Sequence, residues 1–568
     1  MSNQNLDGNP KNKDRMGVFV CDCGDNISSI LDVESLTETA KVLPNVVCAE
    51  HASYWCSTDG RERILDMIRS EELQKVVVAG CSRRTHNRLF QKTIGQANLN
   101  AEMLGIVNIR EGCAYPHQAE PDMATARAKD QIEMESAYMS ALNISTSIEV
   151  AITQKSLVIG GGMAGMTAAL ELADNGVPVM LVEHTESLAS MTITDTPEQV
   201  KDVVIAVQNH PDITVHVNSY VSEVGGTSGN HQVTISHLTK QALSLHDTFG
   251  VIIVATGMPD EETARLAKLL RLKQDTKGHF AEMRIRLRPE RYMERGIYVC
   301  GSVHQPCTIK QAQFQAYSAA SRALKHLRKK SVMVGGARAV VDPMKCNGCS
   351  DCFEVCPFDA VTMIERPAQF SKDSVHIEIQ TPDAKKQSLS VIDPILCTGC
   401  GNCVSVCPVG AATMRGWSDE QLEDQMHIAL RDTSDNKDSL RILIFACEWS
   451  GYAAMELAGR QKLSYPSNVR AIRLDCTGRL QPGLILKAFE MGADGVMILG
   501  CMPKLCHYER GNEQAAAIYN QVESLVGLLG ISPVRLKLAW TPPDDAPAWV
   551  ELVTKFVEGV AEITGVAK

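Results

Sequence analysis

The chain reads as an α/β multidomain protein, and three observations carry that reading. Short apolar runs of strand length, separated by helical patterns, end on cysteines both early and late in the 568 residues. One strand-like run in the first third feeds a glycine-rich turn and a helix. Beyond it lie two consecutive cysteine runs of identical spacing. At about 150 residues per domain, the length allows three to five domains. A net charge of -11 excludes a nucleic-acid groove, which needs clustered Lys and Arg. Twenty cysteines with no secretory n-region and h-region at the start point to thiolate ligation in a reducing, cytoplasmic compartment. No run of roughly 18 consecutive apolar residues occurs, so no direct membrane span is expected and peripheral attachment would come through partner subunits.

Residues 1–15 are polar and read as a disordered tail. The first domain, 16–150, carries three strand-like runs. Gly17 to Val20 ends on Cys21-Asp22-Cys23-Gly24, Val76 to Ala79 runs into Gly80-Cys81, and Ile106 to Ile109 runs into Arg110-Glu111-Gly112-Cys113. Open α/β sheets bind ligands at the carboxyl ends of their strands. A cluster held by Cys23, Cys56, Cys81 and Cys113 is therefore expected, with Cys21 and Cys48 as alternates. The bland reading is that these are small buried apolar residues. Pro121 to Leu142 reads as one long helix whose Met and Ala stripe is for packing.

The second domain, 151–335, opens with the strand Ser156 to Ile159, then Gly160-x-Gly162-x2-Gly165 and a helix. A second strand, Val179 to Val182, ends on Glu183 at the distance of a ribose-binding acid. This order predicts an adenine dinucleotide site in a Rossmann-like layer. Val251 to Gly257 resembles the ATG turn of FAD-dependent disulfide-reductase-like flavoproteins, and Gly296 to Gly301 resembles their late strand. The resemblance implies FAD, held by Gly160, Gly162, Gly165, Glu183, Thr256, Gly257, Gly301 and Ser302. That family carries a nicotinamide domain between the two motifs; here fewer than forty residues stand there, without a second GxGxxG. A truncated flavin domain with no NAD module is expected. Two positions depart from the pattern: Thr185 to Ser190 replaces a Gly-Gly pair, and Ser302 replaces an Asp with a neutral hydroxyl. An empty structural layer is the alternative. Cys300 and Cys307 read as packing or flavin-proximal residues, and His304 as a satisfied loop histidine.

In the third domain, 336–420, stand Cys346-x2-Cys349-x2-Cys352-x3-Cys356-Pro357 and Cys397-x2-Cys400-x2-Cys403-x3-Cys407-Pro408. This is the signature of a two-cluster ferredoxin, in which the fourth Cys of each run serves the other cubane. Cys346, Cys349, Cys352 and Cys407 should hold one 4Fe-4S cluster; Cys397, Cys400, Cys403 and Cys356 should hold the second. Phe370 to Ser390 reads as a hairpin insert, and 421–439 as a linker. The last domain, 440–568, repeats the first: strands end at Cys447, Cys476 and Cys501, and Cys506 follows beside His507. The interval from Cys56 to Cys81 equals that from Cys476 to Cys501. A 2Fe-2S cluster on Cys447, Cys476, Cys501 and Cys506 is expected, with zinc bound through His507 as the rival.

Taken together, Cys21-Asp22-Cys23-Gly24, Gly80-Cys81-Ser82-Arg83-Arg84-Thr85-His86 and Asn108-Ile109-Arg110-Glu111-Gly112-Cys113, then GxGxxG and the double ferredoxin, resemble the HdrA family, the flavin-bearing subunits of heterodisulfide reductases. Gly500-Cys501-Met502-Pro503-Lys504-Leu505-Cys506-His507-Tyr508 resembles the small iron-sulfur protein that links the methyl-viologen-reducing hydrogenase to that reductase. A fused tail of this kind is also similar to the QmoB component of the quinone-interacting membrane-bound oxidoreductase. The resemblance implies a flavin and iron-sulfur electron-transfer subunit with no catalytic residue of its own, FAD, three 4Fe-4S clusters and one 2Fe-2S cluster. It implies B- and C-like partner subunits, a docked donor or acceptor enzyme, and a hetero-oligomer, with electron bifurcation as a further property of the family. Alternatives are a subunit passing electrons between a quinone pool and a cytoplasmic reductase, a self-contained flavin oxidoreductase acting on a small molecule, and a non-enzymatic assembly scaffold. Trp449, Ser450 and Gly451 stand where the tail family often has a second Cys, which leaves its site dependent on Cys506. The ferredoxin insertion that the archaeal form carries in its flavin domain is also missing.

Overall fold

A computed structural model describes residues 14–142, 148–189, 198–239, 244–270, 272, 274–280, 296–334, 336–366, 388–431 and 440–565. Of the sequence expectations, residues 1–13 of the tail, most of the 370–390 insert and 432–439 of the linker lie outside these.

The first unit is an α/β layer: β1 (Met16–Cys21), α1 (Val33–Lys41), β2 (Val46–Ala52), α2 (Thr58–Ser70), β3 (Lys75–Gly80), α3 (Arg83–Gly95), β4 (Leu104–Asn108) and α4 (Pro121–Ser140). Its parallel sheet runs β2-β1-β3-β4. β1, β3 and β4 are buried along their whole length, as strands covered on both faces must be, which is why they read as continuous apolar runs. The edge strand β2 is half exposed and lacks that signal. Asp32, Ser57 and Ser82 cap α1, α2 and α3 by accepting backbone N–H bonds.

The flavin-type unit comprises β5 (Ile148–Ala151), β6 (Ser156–Ile159), α5 (Met163–Asp174), β7 (Val179–Val182), α6 (Glu198–Asn209), β8 (Ile213–His216), β9 (Ser219–Thr227), β10 (Asn230–His237), β11 (Ser244–Phe249), β12 (Val251–Val254), α7 (Glu261–Leu270), β13 (Ile297–Val299), α8 (Ile309–Leu327) and β14 (Ser331–Val334). Five parallel strands run β13-β12-β6-β7-β8, and β9, β10 and β11 form an antiparallel meander. The next unit has β15 (Arg338–Val341), α9 (Asp351–Val355), β16 (Val361–Glu365), β17 (Ser388–Ile392), α10 (Asn402–Ser405), β18 (Ala412–Arg415) and α11 (Asp419–Ala429). Two short antiparallel ladders, β15 with β18 and β16 with β17, frame its cysteine loops. Residues 421–429 of the expected linker are helical instead: Ser418 and Gln421 close a capping box, and α11 packs on α4.

The last unit has β19 (Ile442–Cys447), α12 (Gly451–Arg460), β20 (Val469–Leu474), α13 (Pro482–Glu490), β21 (Gly495–Gly500), α14 (Gly511–Leu528), β22 (Leu536–Trp540) and α15 (Ala546–Thr564). Its sheet, β20-β19-β21-β22, repeats the order of the first. The two α/β units pack on each other. Glu456 on α12, 1% exposed, accepts from Ser82 Oγ at 2.7 Å, Arg84 Nε at 2.9 Å and Asn108 Nδ2 at 3.0 Å. Asp130 on α4 pairs with Arg470 at 2.7 Å and with Arg431 at 2.7 Å, and buried Arg127 donates to Gly112 O and Val469 O. At Gly459 a Cβ would lie 1.7 Å from Glu111 O, so the backbones meet where only glycine fits. Among the described residues, no helix is long and apolar enough to cross a membrane.

Candidate cluster and flavin sites

Two cavities sit inside the ladders of the ferredoxin-like unit. One is lined by Cys346, Cys349, Cys352 and Cys407. The other is lined by Cys356, Cys397, Cys400 and Cys403. Each run thus sends its fourth cysteine to the other run's cavity. Left-handed backbone at Gly348, Ser350, Gly399 and Gly401 turns the loops tightly around them. Backbone N–H groups point at sulfur: Ala339 to Cys397 at 3.4 Å, Ala360 to Cys356 at 3.4 Å and Ala411 to Cys407 at 3.2 Å. Burial raises the thiols of Cys352, Cys356, Cys400 and Cys403, so a metal must displace their protons. Among the described residues, no three His, Cys, Asp or Glu side chains are placed to hold a single ion, and the four cysteines of each set ring a cavity instead.

In the last unit Cys447, Cys476, Cys501 and Cys506 share one buried apolar cluster with Phe358, Tyr508 and Cys400. Cys447 Sγ and Cys501 Sγ stand 3.6 Å apart. Hydrogen bonding with Cys447 and then Cys506 holds Cys501 below the usual thiol range. Gly478 N donates to Cys476 at 3.4 Å. A Cβ on Gly511 would lie 2.1 Å from Cys476 Sγ and 3.4 Å from Cys506 Sγ, so α14 begins against the sulfurs. His507 stacks on Trp449, with ring centroids 3.7 Å apart.

The first unit brings Cys21, Cys23, Cys56 and Cys81 to one cavity, with Trp55, His86, Asn87 and Arg110. Arg110 Nη1 lies 3.4 Å from Cys23 Sγ, and Cys23 and Gly24 both adopt left-handed backbone. Burial pushes the Cys81 thiol up to about 12. Cys113 does not line this cavity. After β4 the chain enters a π-helical turn, Arg110–Ala114, closed by Tyr115 N to Arg110 O at 2.9 Å. The turn aims Arg110 at the cavity and carries Cys113, 0% exposed, into the core beside Ile109 and Ile132. Cys48 lies on β2, its sulfur 3.2 Å from where a Gly17 Cβ would be, also outside the cavity.

At the flavin-type turn, a Cβ on Gly160 would meet Ala255 O at 2.5 Å, and one on Gly165 would meet Gly160 O at 1.8 Å. Gly162 and Gly257 have open space on that side, and α5 starts at Gly162 without a side-chain cap, leaving N–H groups for a phosphate. The Thr256 hydroxyl is buried without a partner among the described residues. Those features suit a dinucleotide. Glu183 accepts from Gly161 N and from Thr185 N and Oγ1 at 2.9 and 2.7 Å, so Thr185 fills the role of turn-former where the flavoprotein pattern has glycine. Gly301 N donates to Gln315 on α8 at 2.7 Å, and Ser302 Oγ lies 3.8 Å from Cys307 Sγ. His304 is satisfied by Phe280 O at 3.0 Å.

Comparison with known families agrees with this layout. Residues 119–323 match the pyridine nucleotide-disulphide oxidoreductase family, and 345–411 and 389–448 match two models of the 4Fe-4S dicluster domain. Residues 442–564 match the methyl-viologen-reducing hydrogenase delta subunit. The chain is an oxidoreductase in which a flavoprotein-type domain is joined to a 4Fe-4S dicluster domain. More particularly, its full length is similar to the HdrA subunits of heterodisulfide reductases, and its tail to the hydrogenase delta subunit. The HdrA-type subunit of the ferredoxin:CoB-CoM heterodisulfide reductase of Methanosarcina mazei is 23% identical over 796 positions, covering 97% of both chains. Since this chain has 568 residues, long stretches of that relative face gaps. An iron-sulfur HdrA-type subunit of the CoB-CoM heterodisulfide reductase of Methanopyrus kandleri is 40% identical over 230 residues, 39% of this chain and 35% of its own. Its counterpart in the H(2):CoB-CoM heterodisulfide,ferredoxin reductase of Methanothermobacter marburgensis is 36% identical over 230 residues, 39% of this chain and 35% of its own.

Proposed function

We propose that this chain is the flavin and iron-sulfur electron-transfer subunit of a heterodisulfide-reductase-type complex, exchanging electrons between a partner docked at its C-terminal unit and its flavin-type domain. The observation that carries the reading is the shared apolar cluster in which Cys400 of the ferredoxin-like unit lies with Cys447, Cys476, Cys501 and Cys506. Two thiolate sites that share a wall suit transfer between them. A bound flavin supplies interconversion of two-electron and one-electron chemistry, and bound clusters carry single electrons.

The chain's own residues hold and tune these groups. Cys346, Cys349, Cys352 and Cys407 are assigned to one 4Fe-4S cluster and Cys356, Cys397, Cys400 and Cys403 to the other. Cys447, Cys476, Cys501 and Cys506 are assigned to a 2Fe-2S cluster. In the first unit, shared lining of one cavity favours Cys21 with Cys23, Cys56 and Cys81, and Arg110 sets a positive charge beside the sulfurs. Gly160, Gly162, Gly165, Thr256 and Gly257 shape the dinucleotide turn, with Glu183, Gly301 and Ser302 at its borders. B- and C-like subunits and a donor or acceptor enzyme complete the complex, and any membrane contact belongs to them.

Anaerobic purification with iron, acid-labile sulfide and flavin counted per chain tests this. The expected result is three 4Fe-4S clusters, one 2Fe-2S cluster and one FAD. A holoprotein free of flavin would overturn it.

A further inference from the structure

Asn402 is 0% exposed, and both ends of its side-chain amide, Oδ1 and Nδ2, lack a partner among the described residues. A fully buried amide with neither end satisfied is costly, and a bound species at its tip would satisfy it. Its location points to one. Asn402 follows Cys400 and Gly401 and lines the cavity of Cys356, Cys397, Cys400 and Cys403, and its backbone N–H bonds the Cys400 sulfur. Its side chain reaches the other way. Oδ1 lies 2.1 Å from where a Gly478 Cβ would be and 3.7 Å from where a Gly511 Cβ would be. That same Gly511 point is 2.1 Å from Cys476 Sγ and 3.4 Å from Cys506 Sγ. The amide tip therefore stands at the sulfur wall of the C-terminal site, and both glycines opposite it are places where a side chain would collide with it or with the sulfurs. A carbonyl and an amino end are interchangeable by rotation about the last bond, so either can face the sulfur.

We propose that Asn402 is a positioning residue shared by two adjacent metal–thiolate sites: its backbone N–H fixes Cys400, and its side-chain N–H donates to metal-bound sulfur at the C-terminal site, on the Cys476 side. The proposal rests on the cluster assignment above. An N–H donor at cluster sulfur favours the more negative, reduced form, so Asn402 raises the reduction potential of the C-terminal site relative to the same site without it. The neighbouring cubane, reached only through the backbone, keeps its potential when the side chain changes.

The test uses the full chain, purified anaerobically, with EPR-monitored redox titration. Asn402→Leu keeps the volume and removes both polar ends. The expected result is a negative displacement of the C-terminal midpoint, no displacement of the two ferredoxin midpoints, and unchanged iron and sulfide per chain. With asparagine amide groups labelled with 15N, the reduced C-terminal site of the parent chain should show a nitrogen hyperfine coupling that Asn402→Leu abolishes. Unmoved midpoints together with an unchanged coupling would overturn the proposal. Should Asn402→Leu fail to fold, Asn402→Ala removes both polar ends without adding bulk or charge; it must show the same negative displacement, and its absence is equally fatal. A parent chain with zinc or no metal at the C-terminal site would instead defeat the cluster assignment, before any variant is compared.

Discussion

Cys21 and Cys113 are both candidates for the N-terminal site by sequence, and the structure separates them by what surrounds each sulfur. Cys21 lines the cavity, whereas Cys113 is packed in the core with its thiol pushed up to about 11 by burial. Cys21→Ser should therefore lower iron per chain by the content of one cluster. Cys113→Ser should keep that iron but lose about 1–3 kcal/mol of stability in urea titrations, because it buries a hydroxyl among apolar groups. His117 makes a second prediction. It is 4% exposed, its ring meets Tyr465 at 4.8 Å, and burial together with Arg127 and Arg470 holds its pKa down at about 3. Below about pH 6.5 the unfolded chain takes up this proton and the folded chain does not, so folding loses up to about 1.4 kcal/mol per pH unit as pH falls. His117→Phe should be less sensitive to that fall, and the gap between the two urea midpoints should close or reverse as pH drops from 7 to 5; parallel curves would refute the buried neutral state.

At the scale of elements, the strands that end on cysteine are legible in the sequence because a buried parallel strand must be apolar throughout, as β1, β3, β19 and β21 are. The edge strands β2 and β22 are not, since half-exposed residues such as Glu50 and Lys537 break the run. The π-helical turn after β4 is illegible for a different reason: nothing in Arg110-Glu111-Gly112-Cys113 announces the one extra residue per turn that swings Cys113 inward. The crossed cysteines of the ferredoxin-like unit are legible because spacing alone dictates them. Contacts between distant elements leave no local trace, and α12 is the clearest case. Glu456→Ala should cost about 2–3 kcal/mol by leaving Ser82 and Asn108 unsatisfied, measured by urea titration. Gly459→Ala should cost more, because its methyl group would overlap Glu111 O. A Gly459→Ala chain with parent stability would show that the two units do not touch there.

For the whole molecule, the ferredoxin-like unit is gripped on its C-terminal side: Gly401 would collide with Arg479 if it carried a Cβ, and Arg479 Nε donates to Trp417 O at 2.9 Å. Cys400→Ser and Cys349→Ser should both leave flavin bound while slowing its reduction by a donor docked at the tail. Stopped-flow flavin absorbance reads this, and an undiminished rate in both variants would remove the ferredoxin-like unit from the route. The clasp between the two α/β units also has a consequence for biosynthesis. Arg84 and Glu456 are separated by 372 residues, and ribosomes add about 5–20 residues per second. The first unit therefore leaves the ribosome roughly 20–75 s before its mate exists. Throughout that interval Ser82, Arg84 and Asn108 are hydrated rather than paired with the carboxylate that later satisfies them, so the clasp between the two units closes only after the last unit has been made.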